Sequence, residues 1–168
     1  MEELKVLHIA SGDLWAGAEA QVYYQLSSIK GNAELKISPE VVVFCRGKLS
    51  EKLESANVPV HLLDESKSIF SEARQFARKT GANYGLVVTH GYKEAMVGLL
   101  ISKILGVPLI TTFHDAWRAE TINLVIYKAI HRAIGRLFAK RIVTVSSELK
   151  TLLGFSNLRK AQVVLNVV

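Results

Sequence analysis

Seven short runs of apolar, mostly branched residues alternate with segments of helical periodicity along the whole sequence. The first run, Leu4–Ala10, is followed by a loop and then by Ala18–Ile29, whose apolar residues recur at helical spacing. A strand that is apolar at nearly every position is buried on both faces, which is typical of a parallel sheet covered by helices. The sequence therefore predicts a doubly wound α/β fold, with a mostly parallel, seven-stranded sheet and helices on both faces.

The same alternation continues to the end of the sequence. The further strands that the apolar runs predict are Val41–Cys45, Val60–Leu63, Leu86–Thr89, Leu109–Thr112, Ile142–Val145 and Val163–Leu165. The intervening helices that periodicity predicts are Leu49–Ala56, Ile69–Thr80, Glu94–Leu105, Thr121–Phe138 and Glu148–Leu153. No internal repeat and no linker rich in Pro, Gly or Ser interrupts the pattern, so we expect residues 1–168 to form one domain.

The cysteine content and the charge pattern limit which cellular compartment and which metal sites we expect for this protein. Cys45 is the only cysteine, and no cluster of Cys and His has the spacing of a zinc site, so no bound metal is expected. The first residues include two acids where a secretion signal needs positive charge. The longest apolar stretches are interrupted by Lys103 and Pro108 and are too short to span a membrane. We expect a cytoplasmic protein, soluble or peripheral on the inner face of the membrane.

A loop containing two glycines follows the first predicted strand. Gly12 and Gly17 have the spacing that starts a P-loop, but Ala18 and Glu19 stand where that motif needs Lys and Ser or Thr. The loop also departs from G-x-G-x-x-G, and no acidic residue clearly ends the second strand, so a nicotinamide cofactor is disfavoured. Backbone N–H groups at the start of the next helix favour an anion such as a diphosphate. A glycine needed only for a tight turn is the alternative.

Histidines follow two central predicted strands, at the edge where an α/β sheet binds its ligands. The segments are Thr89-His90-Gly91 and Thr112-Phe113-His114-Asp115. Because these strands are expected to be neighbours, the two rings can meet across one cleft. Histidine can exchange a proton with a sugar hydroxyl near neutral pH, and Asp115 could orient His114. A structural role is the alternative for either ring, and it is the expectation for His8, His61 and His131.

Hydrolytic chemistry is disfavoured by the surroundings of the serines and carboxylates. Ser146 and Ser147 open a predicted helix, where a helix-capping role is expected, and no G-x-S-x-G elbow surrounds them. No pair of carboxylates stands out as the acid and base of a glycosidase.

Positive charge is concentrated in the last quarter of the sequence. Residues 128–168 contain eight Lys and Arg against Glu148 alone. Cations recur every four residues along the long predicted helix, at Lys128, Arg132, Arg136 and Lys140. The apolar residues expected to pack that helix on the sheet are Val125, Ile126, Ala129, Ile130, Ala133, Ile134, Leu137 and Phe138.

The basic stripe suits an anionic membrane surface, and a merely solvated helix face is the alternative. Nucleic acid is not expected, because no aromatic residues interleave with the cations.

Taken in order, these segments resemble the N-terminal half of the GT-B glycosyltransferases of family 4, retaining enzymes that use nucleotide-sugar donors. KVLHIASGDLWAGAEAQVYYQLSSI resembles the family's first strand, glycine-rich G-G-A-E loop and first helix. THGYKEAMVGLLISKILGVPLITTFHD resembles its two central strands, with the family's strand-end histidine at His114. AKRIVTVSSELKTLL and VVLN resemble the segments that precede the connector to a second domain. The resemblance covers essentially the whole sequence.

The resemblance implies a Rossmann-like domain that binds mainly the acceptor. It implies a loop beside the donor diphosphate formed by Gly12, Ala16, Gly17 and Glu19, where Ala16 replaces the family's usual first glycine. It implies a catalytic role for His114 and Asp115 in contact with the transferred sugar or acceptor. The acceptor pocket would be shaped by Trp15, Thr89, His90 and Gly91.

The sequence stops at Val168, where the family continues into a C-terminal donor-binding domain. The resemblance therefore implies half of an active site, inactive alone, which acts in polysaccharide or glycolipid synthesis with a donor-binding domain supplied covalently or as a separate chain. The nucleotide sugar would be a substrate, no cofactor is expected, and the acceptor would be a sugar or a lipid-linked saccharide. Two alternatives remain: a non-catalytic module that docks on a membrane or partner, and a self-contained Rossmann-like nucleotide-binding domain.

Overall fold

The computed structural model describes residues 3–12, 15–64, 66–80, 83–114 and 121–165. The strands are β1 (Leu4–Ala10), β2 (Ile37–Val43), β3 (Val60–Leu62), β4 (Leu86–Thr89), β5 (Leu109–Phe113), β6 (Arg141–Thr144) and β7 (Ala161–Val163). The helices are α1 (Gly17–Gly31), α2 (Lys48–Ser55), α3 (Ile69–Lys79), α4 (Tyr92–Leu105), α5 (Ile122–Leu137) and α6 (Ser147–Leu152), with a 3₁₀ turn at Ala33–Leu35.

The strands form one sheet in the order β3-β2-β1-β4-β5-β6-β7. Each neighbouring pair in this order is parallel. The chain thus moves outward from β1 to one side, returns to the middle, and moves outward to the other side. This topology confirms the doubly wound α/β fold that the apolar runs predict.

Two strands, β2 and β7, are displaced by two residues or more from the sequence-based prediction. β2 begins at Ile37, four residues early, and includes Pro39; β3 pairs with β2 only from Val41 onward, so the missing Pro39 N–H falls outside that ladder. β7 spans Ala161–Val163 rather than Val163–Leu165, because Ala161 pairs with Ile142 and fills the core. The residues predicted to end the last strand are instead exposed.

The helices divide between the two faces of the sheet. On one face α3, α4 and α5 pack on apolar side chains that include Leu7, Ile9 and Val87. On the other face α1 and α2 pack on Val41 and Val43. Right-handed crossovers produce this division, because a chain that reverses its direction across a parallel sheet also changes face. Over β4 to β6, the α1 side of the sheet therefore forms an open groove.

The orientation of α5 contradicts the expected packing of its apolar stripe. Its buried side faces the sheet through His131, Ile134 and Gly135, and the rest of the stripe points outward. The exposed apolar residues on α5 and just after it include Ile122, Val125, Ile126, Ile130, Leu137 and Phe138. Ile122 is 77% exposed and Leu137 is 73% exposed. A stripe at helical spacing shows which residues share a face, and here that face lies opposite the sheet.

Candidate functional site

The middle of the sheet contains the topological switch point of the fold. β1 and β4 are neighbours there, and their onward connections lead to opposite sides of the sheet. In open parallel sheets, ligands bind outside the carboxyl ends of the strands at this point, because the departing loops leave a crevice. The candidate site is therefore the edge beyond β1, β4 and β5.

Three histidines from three strands meet at this edge. His8 lies on β1, His90 follows β4 and His114 follows β5. The Nδ1 atom of His8 is 3.0 Å from Nε2 of His90, and Nδ1 of His90 is 3.4 Å from Nε2 of His114. The rings of His8 and His90 are nearly parallel, with centroids 5.3 Å apart. We call these three residues the histidine chain.

Burial keeps the inner part of the histidine chain neutral. Burial lowers the pKa of His8 from 6.5 to about 3. Burial also holds the pKa of His90 well below its ordinary value, and positive charge on His8 or His114 would lower it further. Both rings are thus uncharged imidazoles at neutral pH, each with one donor nitrogen and one acceptor nitrogen.

A second hydrogen-bonded series lies on the opposite face of the same strands. Thr89 Oγ1 donates to Thr111 Oγ1 at 3.0 Å, and Thr111 Oγ1 is 2.7 Å from Nε2 of His131. His131 also stacks on Phe113, with ring centroids 3.8 Å apart. Because side chains alternate along a strand, Thr89 faces α4 while His90 faces the groove. The structure therefore does not bring Thr89, predicted to shape the acceptor pocket, to the groove.

The groove over β4 to β6 has a volume of about 510 Å³ and is mostly apolar. The histidine chain lines it near the carboxyl ends of the strands, and Gln21, Tyr24 and Gln25 of α1 line its side. Its floor consists of Val6, Leu86, Val88, Ile110, Thr112 and Val143. No Lys or Arg occurs among its described lining residues.

The glycine loop begins beside β2. Gly12 has a φ of +84°, and a Cβ there would lie 2.8 Å from the carbonyl oxygen of Cys45, so the turn requires glycine. Gly17 starts α1 with open space around its Cα. Glu19 Oε2 accepts the backbone N–H of Ala16 at 3.2 Å, so a carboxylate already takes one donor where an anion is predicted. The structure does not place Gly17 among the lining residues of the groove.

Of the remaining predicted site residues, the structure describes Trp15 and Gly91. Trp15 packs near Tyr23, with the Nζ atoms of Lys48 and Lys52 each 5.3 Å from its ring centroid. Gly91 starts α4 against the Glu94 carboxylate, with a φ of +157°. Asp115 lies outside the described residues.

The predicted basic stripe on α5 is only partly exposed. Lys128 and Arg132 are half-buried, whereas Arg136 and Lys140 are exposed. Arg136 Nη2 donates to the Gly154 carbonyl at 2.8 Å, which ties α5 to the turn after α6. The cations thus lie along one edge of the outward apolar face.

Metal binding and membrane crossing find no support in the described part of the chain. No group of three His, Cys, Asp or Glu side chains is arranged there to hold a metal ion. None of the helices described is both long enough and apolar enough to cross a membrane.

A family model matches most of the sequence. The model for Glycosyltransferase Family 4 matches residues 37–167. The chain belongs to glycosyltransferase family 4. None of the curated protein sequences matches it.

Several solved structures share this fold. HepE from Anabaena in complex with UDP-glucose has a TM-score of 0.77 and 19% identity, over 97% of this chain and 44% of its own. A glycosyltransferase from Rickettsia africae has a TM-score of 0.70 and 19% identity, over 98% and 43%. MurG from Acinetobacter baumannii has a TM-score of 0.62 and 15% identity, over 97% and 45%. The chain thus spans less than half the length of these proteins, and its fold is that of one GT-B half.

The sequence pattern predicts two rings of the histidine chain and misses the third. His90 and His114 were recognisable because each directly follows a central strand. His8 is expected to be structural because it lies within an apolar strand. The contact depends on the register between strands, which the sequence pattern does not show. His8 pairs with Val88 on the neighbouring strand. Val88 lies two residues before His90, so the two side chains share a face of the sheet.

Proposed function

We propose that this chain is the acceptor-binding half of a retaining, nucleotide-sugar-dependent glycosyltransferase that acts in polysaccharide or glycolipid synthesis. Membership of family 4 and the groove at the switch point carry the proposal. The span of less than half of each similar structure supports a separate or following donor-binding domain. The UDP-glucose held by HepE supports a nucleotide sugar as the donor substrate.

The described groove supplies acceptor chemistry rather than donor chemistry. His114 can exchange a hydrogen bond with a sugar hydroxyl, and Tyr24, Gln21 and Gln25 offer further polar atoms beside an apolar floor. Sugars combine hydroxyl groups with apolar C–H faces, which such a surface complements. A departing diphosphate needs preorganised positive charge, which we assign to the donor-binding domain. We propose no cofactor besides the nucleotide sugar as substrate.

NMR titration of the isolated chain with saccharides and nucleotides tests the proposal. We expect candidate acceptor saccharides to shift the ring signals of His90 and His114, nucleotide sugars to bind weakly, and no sugar to be transferred. A His114→Ala variant should weaken saccharide binding by about tenfold, in the range of one lost hydrogen bond in a desolvated site. A His61→Gln variant, altered on β3 away from the groove, is the matched control.

Each alternative function predicts a different titration. Tight nucleotide binding that is lost in Gly17→Val would favour a self-contained nucleotide-binding domain and contradict the proposal. Sugar transfer by the chain alone would contradict the assignment of an incomplete site.

We further propose that α5 holds the domain on an anionic membrane at its cytoplasmic face, where a lipid-linked acceptor would be presented. The outward stripe of Ile122, Val125, Ile126 and Ile130 supports this proposal, because its apolar side chains are exposed. α5 contains no Asp or Glu, and its cations lie along the edge of the stripe. Interfacial helices combine an apolar face with flanking Lys and Arg in this way.

Vesicle sedimentation tests the membrane proposal. Ile126→Glu should reduce binding to phosphatidylglycerol-containing vesicles at least tenfold, because it places a charge in the apolar face. Arg136→Glu should reduce binding about 30-fold, since each cation near such a surface contributes about 1 kcal/mol and the change replaces an attractive charge with a repulsive one. Phe70→Glu is the matched control, because Phe70 is similarly exposed on α3.

The pattern among these variants separates the possibilities. Equal loss in the Phe70 variant, or equal binding to neutral vesicles, would contradict a specific role for α5. Vesicle binding by a chain that binds no saccharide would favour the non-catalytic docking module instead.

A further inference from the structure

The inner rings of the histidine chain have no role in the proposed function. His114 is the ring proposed to meet the acceptor, whereas His8 is 2% exposed and His90 is 8% exposed. Each ring comes from a different strand, and the three are nevertheless joined by successive nitrogen contacts of 3.0 and 3.4 Å. A buried polar ring is costly unless its nitrogens are satisfied. The positions of the ring protons must therefore satisfy both nitrogen contacts.

Each contact between two imidazole nitrogens needs one proton. A neutral imidazole carries one N–H, so His90 donates to only one of its two neighbours and accepts from the other. If His8 Nδ1–H donates to His90, then His90 Nδ1–H donates to His114 and the proton of His114 is on Nδ1. If His114 Nε2–H donates to His90, then His90 Nε2–H donates to His8. The proton of His8 is then on Nε2.

Both hydrogen bonds have the same sense, Nδ1 of one ring to Nε2 of the next. Only two arrangements are therefore consistent with the geometry: all three protons on Nδ1, or all three on Nε2. A mixed arrangement would place two donors or two lone pairs face to face. The low pKa values of His8 and His90 support this account, because they keep both rings neutral at physiological pH.

We propose that His8 and His90 are positioning residues that set the tautomer of His114. In one arrangement the His114 nitrogen that does not face His90 donates a hydrogen bond, and in the other it accepts one. The buried end of the histidine chain thus determines whether Nδ1 of His114, which is buried in this structure, carries a proton or a lone pair. The use of this control in catalysis rests on the proposed function, whereas the coupling itself does not.

Long-range ¹H–¹⁵N NMR of the chain labelled in its histidines measures the coupling directly. At pH 8 the nitrogen shifts of each ring report which nitrogen carries the proton. We expect His8, His90 and His114 to share one tautomer. Any mixture of tautomers among the three rings overturns the proposal. The measurement needs neither donor nor acceptor, so a failure of the proposed transferase function would leave it unaffected.

Removal of the innermost ring tests control at a distance. In His8→Phe, His90 loses its Nε2 partner, and a buried N–H without an acceptor is disfavoured. His90 and His114 should therefore both carry the proton on Nδ1, with His90 lying between residue 8 and His114 in the chain of contacts. His61→Gln, which alters the contacts of His61 with Glu40 and Phe76, should leave the tautomer of His114 unchanged. A folded His8→Phe variant with the His114 proton on Nε2 would overturn the proposal.

Discussion

His8, His90 and His131 share an unusual property for histidines: each is almost completely buried. Burial lowers the pKa of His8 and of His131 to about 3, with positive charge on His114 a further cause for His131. The rings satisfy their nitrogens with one another or with a threonine hydroxyl, which are neutral partners. The folded state consequently excludes protons that the unfolded chain readily binds.

Acid should destabilise the protein below pH 6.5. Between pH 6.5 and about 3, the unfolded state binds one more proton at each of His8 and His131 than the folded state does. Their contribution to the free energy of unfolding is therefore largest above pH 6.5 and decreases as the pH falls through this window. Each ring contributes a slope of about 1.4 kcal/mol per pH unit. Urea unfolding measured from pH 7 to pH 4 gives the free energy of unfolding at each pH. That free energy should depend less steeply on pH for His131→Gln than for the unaltered protein.

The Thr111→Val variant separates titration from hydrogen bonding. It removes the hydroxyl bonded to His131 but no titrating ring. We expect lower stability at every pH with the slope little changed. If the free energy of unfolding of His131→Gln depends on pH as steeply as that of the unaltered protein, the proposed titration of His131 on unfolding is contradicted.

Helix α4 approaches the sheet closely at Gly98. Gly98 lies over β4, where an added Cβ would overlap Cγ2 of Thr89 and contact Ile9 at 3.4 Å. The helix can lie this close only because residue 98 has no side chain. The position of α4 in turn fixes the loop from which His90 projects.

Gly98→Ala should therefore destabilise the protein by about 1–3 kcal/mol, as overpacking of a close-packed core does. Thr89→Ser in the same chain removes the overlapping methyl group and should recover part of the loss. Gly31→Ala, at the end of α1 with open space around it, is the control and should cost little. Urea denaturation of the four proteins measures the differences, and equal stability of Gly98→Ala and Gly31→Ala would contradict the packing argument.

The elements also show where sequence periodicity stops being informative. The spacing of apolar residues predicts α5 within one residue of its observed bounds, because periodicity is a local property. Which face turns inward depends on the partners that the sheet offers. Here Thr111 and Phe113 engage His131 and turn that side of the helix toward the strands. The apolar stripe then faces outward, a result that no local pattern could indicate.

For the whole molecule, the order of strands and helices was predictable and the inner part of the candidate site was not. Seven apolar runs indicate a parallel sheet, and the sheet places His90 and His114 at one edge. The contact between His8 and His90 depends on register across two strands that are distant in the sequence. A pattern confined to one strand carries no information about that register.

The strand order also sets the sequence of events as the chain is synthesised. β1 reaches its neighbour β4 only after the strands on the other side have been made, and His114 follows His8 by about a hundred residues. A domain generally folds as a unit. His8 therefore gains its partner His90, and His90 gains His114, only after the central strands have been synthesised. The centre of the fold and its candidate site are completed in the same late step.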